Sequence, residues 1–127
     1  MPRADVAHWT RRLRYLHCTV EELAAVEENS GYFDAVVMSE VVEHVSGPGE
    51  FVAQAARLLK PDGFLFATTI NRTPQSYLLA ILGAEYVLRL LPRGTHDWNK
   101  FVTPAELAKW LADCQISVRP ERGMAYN

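Results

Sequence analysis

The residues with the clearest chemical potential lie in the stretch MSEVVEHV, where Glu40, Glu43 and His44 come directly after the apolar run over 33–38. If a helix starts near Glu40, these three fall at i, i+3 and i+4 and share one face. That face would stand at the carboxyl end of a strand, the edge at which open α/β sheets take their ligands. Two carboxylates and an imidazole suit a hard or borderline divalent cation such as magnesium or manganese, with waters or substrate oxygens completing the shell. The same residues also have an ordinary use. Glutamates in a first helical turn gain roughly 0.3–1 kcal/mol from the helix dipole, which offsets a mutual repulsion of about 0.2–0.5 kcal/mol. Both readings stand on the residues alone. Ser39, just before Glu40, is by type a helix N-cap.

His96 and Asp97 form a second polar cluster, in the loop over 92–100. A loop histidine is ordinarily solvated, although it can serve as a general base. Trp98 and Phe101 beside it read as residues that pack the loop. Cys18 and Cys114 are far apart and carry no metal-ligand spacing, which argues against structural zinc and against a disulfide framework. A reducing compartment is the default.

The elements that must position these groups alternate between strand and helix. A short mixed run over 13–18 can form a strand. Thr19 then caps a helix, with Glu22 completing a capping box and Asn29-Ser30-Gly31 ending it. The run over 33–38 is a continuous apolar strand of the kind buried on both faces in parallel sheets. After the break Gly47-Pro48-Gly49-Glu50, apolar positions 51, 52, 55, 58 and 59 keep helical spacing. Lys60-Pro61-Asp62-Gly63 is turn chemistry, and 64–70 is a second buried strand. Strand, helix and strand of this length make a parallel βαβ unit.

Between Pro74 and Pro92 the only charged side chains are Glu85 and Arg89, spaced i, i+4. The stretch over 77–91 falls short of the about 20 apolar residues of a membrane span. A core helix and a helix resting on a bilayer surface both remain open. Thr103-Pro104-Ala105-Glu106 opens a helix over 104–113, and 116–119 begins another strand. The 127 residues are 49% hydrophobic and 22% charged with a net charge of −2, which suits one small globular domain. Nothing in that balance calls for nucleic acid. The Arg-rich opening over 1–14 reads as the start of a folded element, not a transit sequence.

With the elements placed, the chain resembles class I S-adenosylmethionine-dependent methyltransferases. The run YFDAVVMSEVVEHV…LLKPDGFLFATTINRT is similar to the middle of that fold. Within the superfamily, SEVVEHV, TTINRTPQSY, PRGTHDWNKFVTP and the closing GMAYN most resemble the ubiquinone-biosynthesis O-methyltransferases. Two departures stand out. The family's LKPGG turn reads Lys60-Pro61-Asp62-Gly63, and neither a glycine-rich loop after a first strand nor an acidic residue closing a second strand is found.

The resemblance implies an α/β, partial Rossmann-like class I methyltransferase fold, with a mostly parallel sheet and flanking helices, in one partial domain over 1–127. It implies S-adenosylmethionine as donor and a polyprenylated phenolic acceptor. It also implies magnesium on Glu40, Glu43 and His44, a cofactor contact at Ser39, and a position near the adenine for Thr19-Val20-Glu21. The catalytic base is left open by the residues, with His44 and His96 as candidates to take a phenol proton. Peripheral membrane contact, a multiprotein quinone-biosynthesis assembly and no nucleic-acid partner go with it. The implied location is the matrix side of the mitochondrial inner membrane, or the cytoplasm for a bacterial source. The alternative is a non-catalytic, truncated methyltransferase segment that keeps only membrane or partner binding.

Overall fold

Thr19 opens the first helix in the way its sequence dictates. In the computed structural model, which describes residues 13–78 and 97–119, the Glu22 amide donates to Thr19 Oγ1 at 3.2 Å. The Thr19 amide donates in return to Glu22 Oε2 at 2.8 Å. The helix, α1 (Val20–Ala25), stops earlier than Asn29-Ser30-Gly31, and a 3-10 turn over Glu27–Asn29 fills the interval. Strand β1 (Phe33–Ser39), helix α2 (Pro48–Arg57) and strand β2 (Leu59–Thr68) come next. The strands pair in parallel, with Val36 opposite Leu65 and Ser39 opposite Thr68, so the expected βαβ unit is present.

Helix α2 begins inside the predicted break. Pro48 occupies its first turn, where the missing N–H costs nothing and the fixed φ is already helical. Gly49 lets the helix approach its neighbour, since a Cβ there would lie 3.2 Å from the Trp110 ring. The expected Lys60–Gly63 turn is instead absorbed into β2. Phe33 faces Leu59 and Ala35 faces Phe64, so the extra residues of β2 bulge out between those pairs. Gly63 is needed in that bulge, because a Cβ would stand 2.7 Å from Leu59 Cδ1 and 3.0 Å from the Asp34 carbonyl oxygen. Lys60 Nζ reaches Asp34 Oδ1 at 2.6 Å across the bulge and, through that hydrogen bond first, holds the carboxyl below its ordinary range.

A short helix, α3 (Pro74–Ser76), is boxed by Thr73 and Ser76. The expected helix over 104–113 is observed as α4 (Pro104–Asp113), with its Thr103–Glu106 capping box formed. The core gathers Met38 from β1, Val42 from the connection, Val52 and Ala55 from α2, Val102, and Leu111 from α4. Full burial of an aliphatic side chain of this size stabilises by about 1.5–3 kcal/mol.

Three expectations are corrected. The run over 13–18 carries no regular structure, and Leu13, Tyr15 and Leu16 are exposed. The described sheet holds only β1 and β2, so this run has no strand to pair with. Second, the strands are not buried on both faces: Met38 is buried, while Val37, Phe64 and Phe66 are exposed. Third, 116–119 is not a strand. The Ile116 amide donates to the Leu111 carbonyl at 2.9 Å and the Gln115 amide to that of Ala112 at 2.9 Å. Gln115 takes φ +61, which together makes a Schellman cap on α4. The Ile116 amide therefore closes a helix.

Most of the apolar stretch over 77–91, with the Glu85–Arg89 pair, lies outside the described residues. Among the described residues no helix is long and apolar enough to cross a membrane.

The α4 cap yields a pH dependence. Glu106 Oε2 accepts from the Thr103 amide at 2.8 Å and from its hydroxyl at 2.7 Å, and the other carboxylate oxygen takes the Arg72 guanidinium. These contacts, the Thr103 amide first, lower the Glu106 pKa from 4.5 to about 2. A depressed carboxylate stabilises the fold fully above its unfolded pKa and loses that contribution as pH falls through the folded value. Because the Glu106 side chain is 41% exposed, solvent screening keeps the effect near that of an ordinary cap, about 1 kcal/mol. Glu106→Gln is therefore expected to lower stability by about 1 kcal/mol at pH 7. Urea titrations at successive pH values should show that deficit shrinking between the two Glu106 pKa values, 4.5 and about 2.

Candidate functional site

The carboxyl ends of β1 and β2 bring Ser39, Glu40 and Thr68 together. Ser39 and Thr68 face one another in register, their hydroxyl oxygens 3.2 Å apart. Past Ser39 the chain turns at once, with Glu40 at φ +50. A left-handed conformation costs a non-glycine residue roughly 1–2 kcal/mol. Here Thr68 fixes it: the Glu40 amide donates to the Thr68 carbonyl at 3.0 Å and lies 3.2 Å from the Thr68 hydroxyl. Strain of this kind, held at the ligand edge of a sheet, marks a candidate site.

Beyond Glu40 the chain makes a single 3-10 turn, Val42–His44, in place of the expected helix. Glu40, in the left-handed region, cannot be a first-turn helical residue, so Glu40, Glu43 and His44 do not share a helical face. Glu40 and His44 are exposed, while Glu43 is 3% exposed. Glu43 Oε2 accepts a hydrogen bond from Thr69 Oγ1 at 2.8 Å. Among the described residues no three His, Cys, Asp or Glu side chains are gathered to hold a metal ion. The donor set expected for magnesium therefore does not fit an ion as arranged: one carboxylate is buried and already bonded, and the other two groups face solvent.

Ser39 stands where the sequence placed it, exposed at the end of β1. It is not an N-cap. The cap position of the 3-10 turn is Val41, which makes no side-chain cap bond, and the Ser39 hydroxyl meets Thr68 instead. Val20 packs against the core, and Glu21 is exposed.

His96 lies outside the described residues. Its neighbour Asp97 has a structural use, its Oδ1 accepting from the Asn99 amide at 3.0 Å. Trp98 packs the loop as expected, its Nε1 donating to the Thr73 carbonyl at 3.3 Å and its ring meeting Tyr77 edge-on at 6.3 Å. Phe101 is buried.

Thr68 and Thr69 are the residues that sequence reasoning missed. The available signal was a pair of hydroxyl residues ending the second strand, beside Ser39-Glu40 ending the first. Arg72, which ties the segment after β2 to Glu106, gave no signal.

A parallel strand pair, flanked by helices and carrying its polar groups at the carboxyl edge, is part of a Rossmann-like α/β fold. The chain belongs to the methyltransferase domain family, whose profile matches residues 3–119.

It is similar to the ubiquinone biosynthesis O-methyltransferase of Hahella chejuensis, 51% identical over 113 residues, which are 89% of this chain and 47% of that protein. The protein of the same name from Marinobacter nauticus is 47% identical over 116 residues, 91% of this chain and 49% of that one. That of Alkalilimnicola ehrlichii is 50% identical over 113 residues, 89% of this chain and 45% of that one. The chain spans about half the length of the curated relatives it matches.

Proposed function

We propose that the chain serves an S-adenosylmethionine-dependent O-methyltransferase of ubiquinone biosynthesis, acting on a phenolic hydroxyl of a polyprenylated quinone precursor. The observation that carries this reading is the 51% identity to a relative of that name over 89% of the chain. S-adenosylmethionine, when bound, supplies a methyl group activated by its sulfonium. The exposed Ser39 hydroxyl fits a contact to that cofactor, because it sits at the edge where open α/β sheets take ligands. The Thr68 clamp holds Ser39 and the Glu40 turn at that edge, and much of the rate gain in methyl transfer comes from such positioning. His44, exposed beside the same edge, is available to take the phenol proton, and His96 is the second candidate.

Magnesium on Glu40, Glu43 and His44 is a finer reading, and it requires Glu43 to leave Thr69 and turn outward. Peripheral membrane contact through the stretch over 77–91 suits a polyprenylated acceptor, and a multiprotein quinone-biosynthesis assembly goes with it. The three relatives come from bacteria, which favours the cytoplasmic reading over the mitochondrial inner membrane.

The test is transfer of a labelled methyl group from S-adenosylmethionine to a short-chain polyprenyl catechol. The chain is co-expressed with the portion of the Hahella chejuensis relative that lies outside the matched span. Labelled product is expected, with Ser39→Ala lowering the rate about tenfold, the loss of roughly one hydrogen bond. Absence of product, together with no calorimetric uptake of cofactor up to millimolar, would leave the non-catalytic alternative standing.

A further inference from the structure

Residues 69–72 belong to no helix or strand, so bonds to neighbouring elements set their path. They leave β2 at Thr68, the residue that clamps Ser39 and the Glu40 turn. Each tie reaches a different element. The Thr69 hydroxyl donates to Glu43, in the 3-10 turn, at 2.8 Å. The Arg72 guanidinium donates to Glu106, in the first turn of α4. One residue further on, the Thr73 carbonyl accepts from Trp98 Nε1 at 3.3 Å. The Arg72 tie differs from an ordinary surface ion pair, which gains little because two long side chains must be ordered together. Here one partner is ordered already. Glu106 Oε2 is held by the amide and the hydroxyl of Thr103, which leaves Oε1 to meet Arg72. A pKa of about 2 keeps that carboxylate ionised at neutral pH.

We propose that Arg72 is a positioning residue of the candidate site: anchored on Glu106, it fixes the path by which the chain leaves β2 and so holds Thr68 against Ser39 and Glu40. Two observations carry this. Glu40 keeps its φ of +50 with its amide on the Thr68 carbonyl and beside the Thr68 hydroxyl, so the turn follows wherever Thr68 goes. Thr68 is also the last residue of β2, and the ends of elements open more readily than their middles. The Thr69 bond joins the exit segment to the turn that follows Glu40, within the site itself. Arg72 adds a fixed point outside it, on a helix that packs into the core through Leu111. Its use in catalysis rests on the proposed methyl transfer, whereas the positioning does not.

Amide hydrogen exchange on the full 127-residue chain reads the clamp directly, without cofactor or substrate. Arg72→Met is expected to speed exchange of the Glu40 amide about tenfold, while the Val52 and Leu111 amides of α2 and α4 stay within about twofold of the parent. Arg72→Lys keeps a charge for Glu106 without the planar fork and should restore most of the protection. Adding Glu106→Gln to Arg72→Met should speed the Glu40 amide no further, because both substitutions remove the same tie. A Glu40 amide at the parent rate in Arg72→Met, one that quickens only together with Val52 and Leu111, or additive effects of the two substitutions would each overturn the proposal. In the labelled methyl-transfer assay, Arg72→Met should lower kcat about tenfold, as for a group displaced from its productive position, with Arg72→Lys again the rescue. Full kcat in Arg72→Met despite a loosened Glu40 amide would remove Arg72 from the site. A parent that yields no product would count against the proposed activity alone, since the exchange profile decides the positioning by itself.

Discussion

Replacing Glu43 by alanine is expected to destabilise the protein by about 2 kcal/mol, the cost of breaking up a buried polar pair. For a chain of this size that corresponds to a melting temperature lower by roughly 5–10 °C. Glu43 is the only charged or polar residue buried among the described residues, at 3% exposure. Its carboxylate has exchanged water for the Thr69 hydroxyl at 2.8 Å. Removing the carboxylate leaves that hydroxyl without its acceptor and leaves a void beside Val42. Glu43→Gln keeps an acceptor of the same shape and should lose less than half as much. A double-mutant cycle with Thr69→Val isolates the bond, and a coupling of about 0.5–3 kcal/mol is expected for groups in direct contact. Strict additivity of the two substitutions would show that Glu43 is held by something other than Thr69.

What the sequence discloses and what it hides divide along contact range. Thr19 with Glu22, and Thr103 with Glu106, bond across three residues, so each capping box was legible as a spacing. The βαβ order was legible because strand and helix differ in period and length. The Glu40 turn was not, because the residue that clamps it, Thr68, is 28 positions away. Local spacing offered a helix through Glu40, Glu43 and His44, and a tertiary hydrogen bond prevailed over it. Thr69 and Glu43 are 26 positions apart, and Arg72 and Glu106 are 34. Such pairs depend on the strand register and cannot be read before the register is known. The strand over 116–119 failed for a related reason. Its β-branched residues fit a sheet, but the Ile116 amide had a nearer acceptor in the Leu111 carbonyl.

The most sensitive residue of the frame sits where the legible strand meets the hidden turn. Met38, 2% exposed, is the last core residue of β1, immediately before Ser39 and Glu40. It joins Val42, Val52, Ala55, Val102 and Leu111 in the buried cluster. Met38→Ala is expected to cost about 2–5 kcal/mol, from lost burial plus the cavity left behind. Against a total stability of about 5–15 kcal/mol for an ordinary domain, that loss is enough to populate unfolded chain. Met38→Leu, which conserves volume, should cost less than about 1.5 kcal/mol. Hydrogen exchange gives a local readout, since the Glu40 amide is held by Thr68 at 3.0 Å. Its protection should fall in the alanine variant and persist in the leucine one. If Met38→Ala cost under about 1 kcal/mol, below the range for emptying a packed site, β1 would not be anchored through this cluster. Ser39 and the Glu40 turn would then owe their positions to Thr68 alone, and the site would survive a loosened core.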